Sequence, residues 1–222
     1  MKRRPEPELM DSAAQTAAYA AADFNESNSL FTERFASAFP NLPDKGQMAD
    51  LGCGPGDIVV RMAAAFPGWR VVGLDAGENM LKCAAERLAR EGGCANVELR
   101  HAYLPDDSLE AGAFDALISN SLLHHLPDPL VLWRSISRMA APGAAVQVMD
   151  LFRPASEADA MGLVDHYSGD EPEVLREDFY NSLLAAYTVD EIAEQLARAG
   201  LHQLKVAMAS DRHWIASGRC PG

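Results

Sequence analysis

The chain has 222 residues, 48% hydrophobic and 23% charged, and its 19 Lys and Arg against 32 Asp and Glu give a formal net charge of −13. That length suits one domain with at most a small appendage, able to bury roughly 70% of its unfolded surface without a disulfide or a metal. So acidic a surface repels phosphate backbones and anionic bilayers, which argues against nucleic acid and membranes as partners.

The basic start, Met1 to Arg4, runs into Pro5-Glu6-Pro7-Glu8 rather than an apolar stretch, so it does not read as a signal peptide. No segment approaches the about 18 apolar residues of a membrane span. Cys53, Cys83, Cys94 and Cys220 lack paired spacing and read as small buried hydrophobes. These features together predict a cytoplasmic protein without disulfide framework or zinc site.

In chain order, residues 1–45 are Ala-rich and helical in tendency. Gln47 to Leu51 is a short strand-like run that ends in a glycine cluster. Asp57 to Phe66 carries Ile58, Met62 and Phe66 at helical spacing and stops at Pro67-Gly68. Val71, Val72 and Leu74 mark a second strand. Met80, Ala84 and Leu88 stripe a helix from Glu78 to Arg90, ended by Gly92-Gly93. Val97 to Leu99 is a brief third strand, and Phe114 to Ser119 a fourth. Asp128-Pro129 reads as an N-cap with proline at the first helical position. Leu132, Ile136 and Ala140 are that helix's buried stripe, and Pro142-Gly143 its stop. Ala145 to Met149 is a fifth strand. Residues 152–187, rich in His, Tyr, Phe and acids, read as an insertion. Thr188 to Glu191 is a capping box for a helix striped by Ile192, Leu196 and Ala199 and closed by Gly200. Leu204 to Met208 and His213 to Ala216, joined through Ser210-Asp211, predict an antiparallel hairpin.

This alternation predicts an α/β, doubly wound sheet with right-handed crossovers and helices on both faces. Ligands of such sheets bind outside the carboxyl ends of the strands. The most informative segment lies there: Asp50-Leu51-Gly52-Cys53-Gly54-Pro55-Gly56-Asp57, between the first strand and the first helix. Its glycines let the backbone turn tightly and approach a ligand. Asp75, about 20 residues on at the end of the second strand, suits the two hydroxyls of a ribose. The dinucleotide fingerprint is not met, because its third glycine falls at Asp57. An anionic side chain there opposes a pyrophosphate at the helix start and tolerates a cationic ligand better.

These segments resemble the class I S-adenosylmethionine-dependent methyltransferases, near the small-molecule group, from about Gln47 to Arg219. The family's first motif matches Asp50, Leu51, Gly52, Gly54 and Gly56. Its ribose acid matches Asp75, followed by Ala76, and Met80 matches an apolar residue that packs on adenine. Phe114 to Asn120, then Leu123-His124-His125-Leu126, and the Pro142-Gly143 turn also match. The resemblance implies a Rossmann-like, seven-stranded sheet with an antiparallel last strand, and S-adenosyl-L-methionine as cofactor. It places Asp50, Gly52, Gly54, Gly56, Asp75, Ala76, Met80, Ala102, Tyr103 and Asn120 at that cofactor. The family's Gly-Asp-Ala after the third strand is replaced by Arg100-His101-Ala102, which leaves adenine to a hydrogen bond from His101 or a stack on Tyr103.

Implied with the family is methyl transfer to an O, N or C nucleophile of a small-molecule acceptor by in-line displacement. His125 is the first candidate for a general base, since phosphobase methyltransferases carry a His nearby that pairs with an N-terminal Tyr, here Tyr19. His166 and Asp150 are further candidates. Arg153 and Arg176 are candidates for an acceptor's carboxylate or phosphate. No metal site is assigned, because adjacent histidines project apart and spacing offers no third ligand. Residues 1–45 and the insertion at 152–187 are expected to cap the cofactor on a domain spanning 46–222. Other readings stay open: a module that binds the cofactor or its demethylated product without catalysis, a nicotinamide-dependent oxidoreductase, or a member using the sulfonium without methyl transfer. The oligomeric state, homodimer included, is also open.

Overall fold

A computed structural model describes residues 1–6, 12–92 and 94–221. Gly93, expected to help end a helix, and residues 7–11 of the expected cap lie outside the described residues. The elements are α1 (Ala13–Ala21), α2 (Asn25–Ala38), β1 (Gly46–Leu51), α3 (Asp57–Ala65), β2 (Trp69–Asp75), α4 (Glu78–Glu91), β3 (Val97–His101) and β4 (Phe114–Asn120). A 3-10 turn, Leu123–His125, follows, then α5 (Leu130–Met139), β5 (Ala140–Leu151), α6 (Glu157–Ser168), α7 (Glu173–Ala185), α8 (Val189–Arg198), β6 (Lys205–Met208) and β7 (His213–Arg219).

One seven-stranded sheet runs in the order β3-β2-β1-β4-β5-β7-β6. The first five strands are parallel, and β7 is antiparallel to both β5 and β6. The order reverses at β1, whose neighbours are β2 and β4, so the exits of β1 and β4 open a crevice at the carboxyl edge. A second pair of exits matters too. β4 and β5 are neighbours, which brings the segment after Asn120 beside Asp150.

Each face of the sheet has its own core. On one side α5 and α8 bury Leu132, Trp133, Ile136, Ile192 and Leu196 with Trp214, and the Trp133 indole donates to Gln195 Oε1 at 2.9 Å. The capping box at Thr188 is formed in both directions, as the sequence predicts. On the other side Phe31, Phe35, Met48, Met62 and Trp69 pack together. Phe31 and Phe35 belong to α2 and are fully buried. Burying each contributes about 1.5–3 kcal/mol. So α2 is part of the core, and only its start reaches the crevice, rather than serving wholly as a cap.

Two boundaries differ from expectation. The helix expected to run through Ala140 stops at Met139, and β5 begins at Ala140, which pairs with Phe114 before a register shift. Pro129 sits at the cap rather than inside the helix, though Asp128 Oδ1 still accepts from Leu130 N at 3.0 Å. The insertion folds as α6 and α7, which pack on each other through Ala160, Val164, Leu183 and Leu184. Cys53 and Cys220 are buried, while Cys83 and Cys94 are partly exposed, and all four are free thiols.

Candidate active site

Three left-handed glycines shape the turn out of β1, with φ of 73° at Gly52, 52° at Gly54 and 82° at Gly56. Each serves a different contact. A Cβ on Gly52 would stand 2.8 Å from Leu122 Cδ1, and one on Gly56 would stand 3.0 Å from Ala84 Cβ. A Cβ on Gly54 would meet nothing within 4 Å, because Gly54 faces open space. That space is a cavity of about 1240 Å³, counting its mouth. Asp50, Gly52, Gly54, Asp75 and Ala76 line it from the first two strand exits, and Met80, Ala102, Tyr103 and Asn120 from beyond. Gly56 does not line it and instead lets α3 start against α4.

Two carboxylates face this cavity with opposite satisfaction. Asp75 Oδ2 accepts from Gly54 N and Oδ1 from Gly77 N, both at 2.7 Å, so its side chain is fixed. Asp50 is 1% exposed, and neither of its oxygens has a hydrogen-bond partner among the described residues. Burial, with Asp75 adding repulsion, pushes the Asp50 carboxyl up to about 8. An orphaned buried acid is costly unless a ligand satisfies it. The Asn120 side-chain oxygen is likewise buried without a partner. S-adenosylmethionine fits these groups: its ammonium complements Asp50, its ribose hydroxyls suit the rigid Asp75, and its sulfonium suits an acidic wall.

Asp57 plays a different part from the one its position suggests. Its Oδ1 accepts from Arg61 Nε at 2.5 Å and Asn28 Nδ2 at 2.9 Å, and its Oδ2 from Arg87 at 3.0 Å. Two guanidinium groups thus offset its charge, and its repulsion of a diphosphate loses force. The preference for a cation rests on Asp50 instead.

A second cavity, about 1100 Å³ with its mouth, joins the first. Tyr19, Phe24, Asn28, Asn120, Ser121 and His125 border both. Ser121 holds a left-handed φ of 57°, the sole non-glycine to do so among the described residues, and its N–H donates to Met149 O at 2.9 Å. Strained backbone at a cavity junction is a mark of a functional site. The far wall comes from the insertion, through Tyr167, Leu175, Asp178 and Phe179. The insertion therefore lines the second cavity and not the first. Tyr19 is held protonated at neutral pH: burial, with Asp150 and other acids, pushes its phenol up to about 12.

The other catalytic candidates fall elsewhere. Asp150 is 1% exposed and lines neither cavity. Its Oδ1 lies 2.5 Å from His124 Nδ1 and accepts from Leu151 N at 2.6 Å, while Oδ2 accepts from His124 N at 3.1 Å. Burial would raise its carboxyl, but His124 and these bonds hold it below the usual range. His166 is exposed on α6, edge-on to Tyr167, and is not brought to either cavity. His101 lines neither cavity, with its Nε2 3.0 Å from Ala76 O, whereas Tyr103 lines the first. Arg153 is buried against Glu191 and Ala186 O, and Arg176 pairs with Asp165. Neither lines either cavity.

His124 is the residue that sequence reading undervalued. It is 3% exposed and borders the second cavity. Burial disfavours its charge, yet Asp150 and then Glu6 outweigh it and raise its pKa. The histidines do not project apart: their rings lie 4.1 Å from each other, and Glu6 approaches both. The strand order carried the missing signal, since adjacent β4 and β5 bring Asp150 to the His pair.

Residues 49–146 match the family model described as a methyltransferase domain. The chain is 36% identical over 113 residues to trans-aconitate 2-methyltransferase of Variovorax paradoxus, covering 49% of this chain and 40% of that protein. It is 27% identical over 185 residues to 27-O-demethylrifamycin SV methyltransferase of Amycolatopsis mediterranei, covering 81% and 62%. The chain thus spans less than two thirds of these relatives. A crystal structure of a SAM-dependent methyltransferase from Aquifex aeolicus superposes with a TM-score of 0.70 at 16% identity, covering 94% of this chain and 98% of that one.

Proposed function

We propose that the chain is a class I S-adenosylmethionine-dependent methyltransferase, a reading supported by the methyltransferase-domain match over residues 49–146 and by the named relatives, and that it methylates a small molecule held in the second cavity. The observation that supports this most is the shared border of the two cavities at Tyr19, Asn28, Asn120, Ser121 and His125. When bound, S-adenosylmethionine supplies a methyl carbon on a positively charged sulfur, which departs as a neutral thioether when a nucleophile takes the carbon.

The chain's own task is placement. Asp50 holds the ammonium, Asp75 the ribose, and Met80 with Tyr103 the adenine. Fixing two reactants in line supplies on the order of 7–11 kcal/mol of barrier lowering. Phe24 and Tyr19, stacked with ring centroids 4.6 Å apart, form an apolar wall at the junction and exclude water. His125 Nε2 receives a proton from an acceptor hydroxyl or ammonium, with Nδ1–H directed toward Glu6, 3.3 Å away. Tyr19, protonated, donates to the acceptor.

The acceptor is basic or neutral. Asp23, Glu26, Glu171 and Asp178 border the second cavity. The Arg212 guanidinium there is engaged by Glu26 and Asp211 and lies 3.4 Å over the Tyr167 ring. A surplus of carboxylates repels a polycarboxylate such as the substrate named for the Variovorax relative. The test is incubation with methyl-labelled cofactor and metabolites fractionated by charge. Label in basic or neutral fractions is expected. Label in polyacids alone contradicts the acceptor class, and label in none contradicts catalysis.

A further inference from the structure

The N-terminal residues run into the domain and deliver an acid to the histidine pair. The Met1 ammonium donates to Ala155 O at 2.9 Å, and Arg4 N to Leu184 O at 2.9 Å. Arg3 donates to His124 O at 2.7 Å and lies 4.3 Å over the Tyr187 ring, so its charge is turned to carbonyls and a ring face. Glu6 then places one carboxylate oxygen 3.4 Å from His124 Nε2 and 3.3 Å from His125 Nδ1.

These two distances are informative. Both exceed the about 2.7–2.9 Å of a charge-assisted hydrogen bond. Both match the edge of a tetrahedron with metal–ligand bonds of about 2.0–2.1 Å, which is about 3.3–3.4 Å. All three ligand atoms lie within 4.8 Å of one another. The side chains are dry: Glu6 is 11% exposed, His124 3% and His125 12%. Behind them, Asp150 Oδ1 lies 2.5 Å from His124 Nδ1, which leaves Nε2 on the side of Glu6. A carboxylate behind a ligating imidazole is the support that metal sites use. Ser182 Oγ donates to the Glu6 carboxylate at 3.1 Å.

We propose that Glu6, His124 Nε2 and His125 Nδ1 hold a divalent cation of the zinc type, oriented by Asp150, with a fourth position open toward the second cavity. Two imidazoles and one carboxylate form a three-ligand set that leaves one site for water or substrate oxygen. With an ion in place, His125 would be a ligand through Nδ1 and would present Nε2–H as a donor, in place of the proton-accepting role it has without the ion. Ion binding is measured without cofactor or acceptor, so it stands or falls apart from the methyl-transfer reading.

The experiment uses the full, untagged chain, stripped with chelator, titrated with Zn²⁺ by calorimetry and with Co²⁺ by visible absorbance. One ion per chain is expected, with the intense visible bands of four-coordinate Co²⁺ and a rise in Tm on Zn²⁺ addition. Glu6→Gln and His125→Asn, both away from the sheet core, are each expected to weaken binding at least tenfold with circular dichroism unchanged. Asp150→Asn is expected to weaken it about 10- to 100-fold through His124; if that variant does not fold, the other two decide. No uptake by the wild type, or uptake that neither Glu6→Gln nor His125→Asn reduces, overturns the assignment.

Discussion

Asn28 accepts a hydrogen bond from Asn120 at 3.3 Å, across 92 positions of sequence, while its own amide donates to Asp57 at 2.9 Å. One buried side chain thereby ties the start of α2 to the start of α3 and the end of β4. All three line the first cavity, and α2 and the end of β4 line the second as well. Arg61 strengthens the joint, reaching Ser29 Oγ and Asn25 Oδ1 at 3.0 Å each.

Asn28→Ala removes this bridge and leaves Asp57 with its two arginines. The expected stability loss is about 1–2 kcal/mol, the size of a buried hydrogen-bond defect. Cofactor affinity is expected to fall several-fold as the cavity wall loosens. Thermal melts and calorimetry with adenosylhomocysteine separate the two effects.

Asp50 makes cofactor binding depend on pH. Its carboxyl, up at about 8, is largely protonated at neutral pH until a ligand cation draws the proton off. Affinity is therefore expected to rise with pH up to about 8 and to level off above, with at most a tenfold change per unit. Binding at pH 7 should release close to one proton, read from calorimetry in buffers of different ionisation heat. Asp50→Asn is expected to abolish the proton release and weaken binding. The same raised carboxyl destabilises the ligand-free fold as pH climbs from about 4 to 8, since the unfolded chain ionises first.

The glycines separate fold from ligand. Gly52→Ala meets Leu122 at 2.8 Å with φ at 73°, so it should cost about 1–3 kcal/mol of stability. Gly54→Ala meets nothing within 4 Å and should cost about 1 kcal/mol from its left-handed backbone alone. Its methyl enters the cofactor cavity, and the expected loss of adenosylhomocysteine affinity is tenfold or more. Paired melts and titrations check both.

His213 predicts an acid-labile fold. Burial first, and then Arg212, push its imidazole down to about 4. Its Nδ1 lies 2.9 Å from Ser210 Oγ at the β6–β7 turn. A histidine held neutral contributes stability above the unfolded value of about 6.5 and loses it as pH falls toward 4, by about 3 kcal/mol in all. Denaturant titrations between pH 7 and 4 should show a steeper decline for wild type than for His213→Gln.

Local chemistry made the cofactor side legible. The turn from Asp50 to Asp57 and the acid at Asp75 stand out through residue type and spacing, and the fold places them at the strand exits where the alternation puts them, with Asp50 and Asp75 lining the first cavity. The acceptor side was far less legible. Helices α6 and α7 bury a stripe that includes Ala160, Val164, Leu183 and Leu184, in an insertion that meets the sheet at Leu151 at the end of β5 and borders a cavity. No strong amphipathic signal marks such helices. Glu6 meets His124 only because residues 1–6 dock beside α7, a contact that no periodicity encodes. Asp57 misled for a related reason: its charge was visible, but its partners Arg61 and Arg87 come from two different helices.

The most direct measurement is a crystal structure of the chain grown with adenosylhomocysteine. The expected density has the amino group against Asp50, the ribose on Asp75, and the sulfur facing Tyr19 and His125 at the junction of the two cavities. Density for the nucleoside outside that crevice, or a sulfur turned away from the second cavity, would contradict the account.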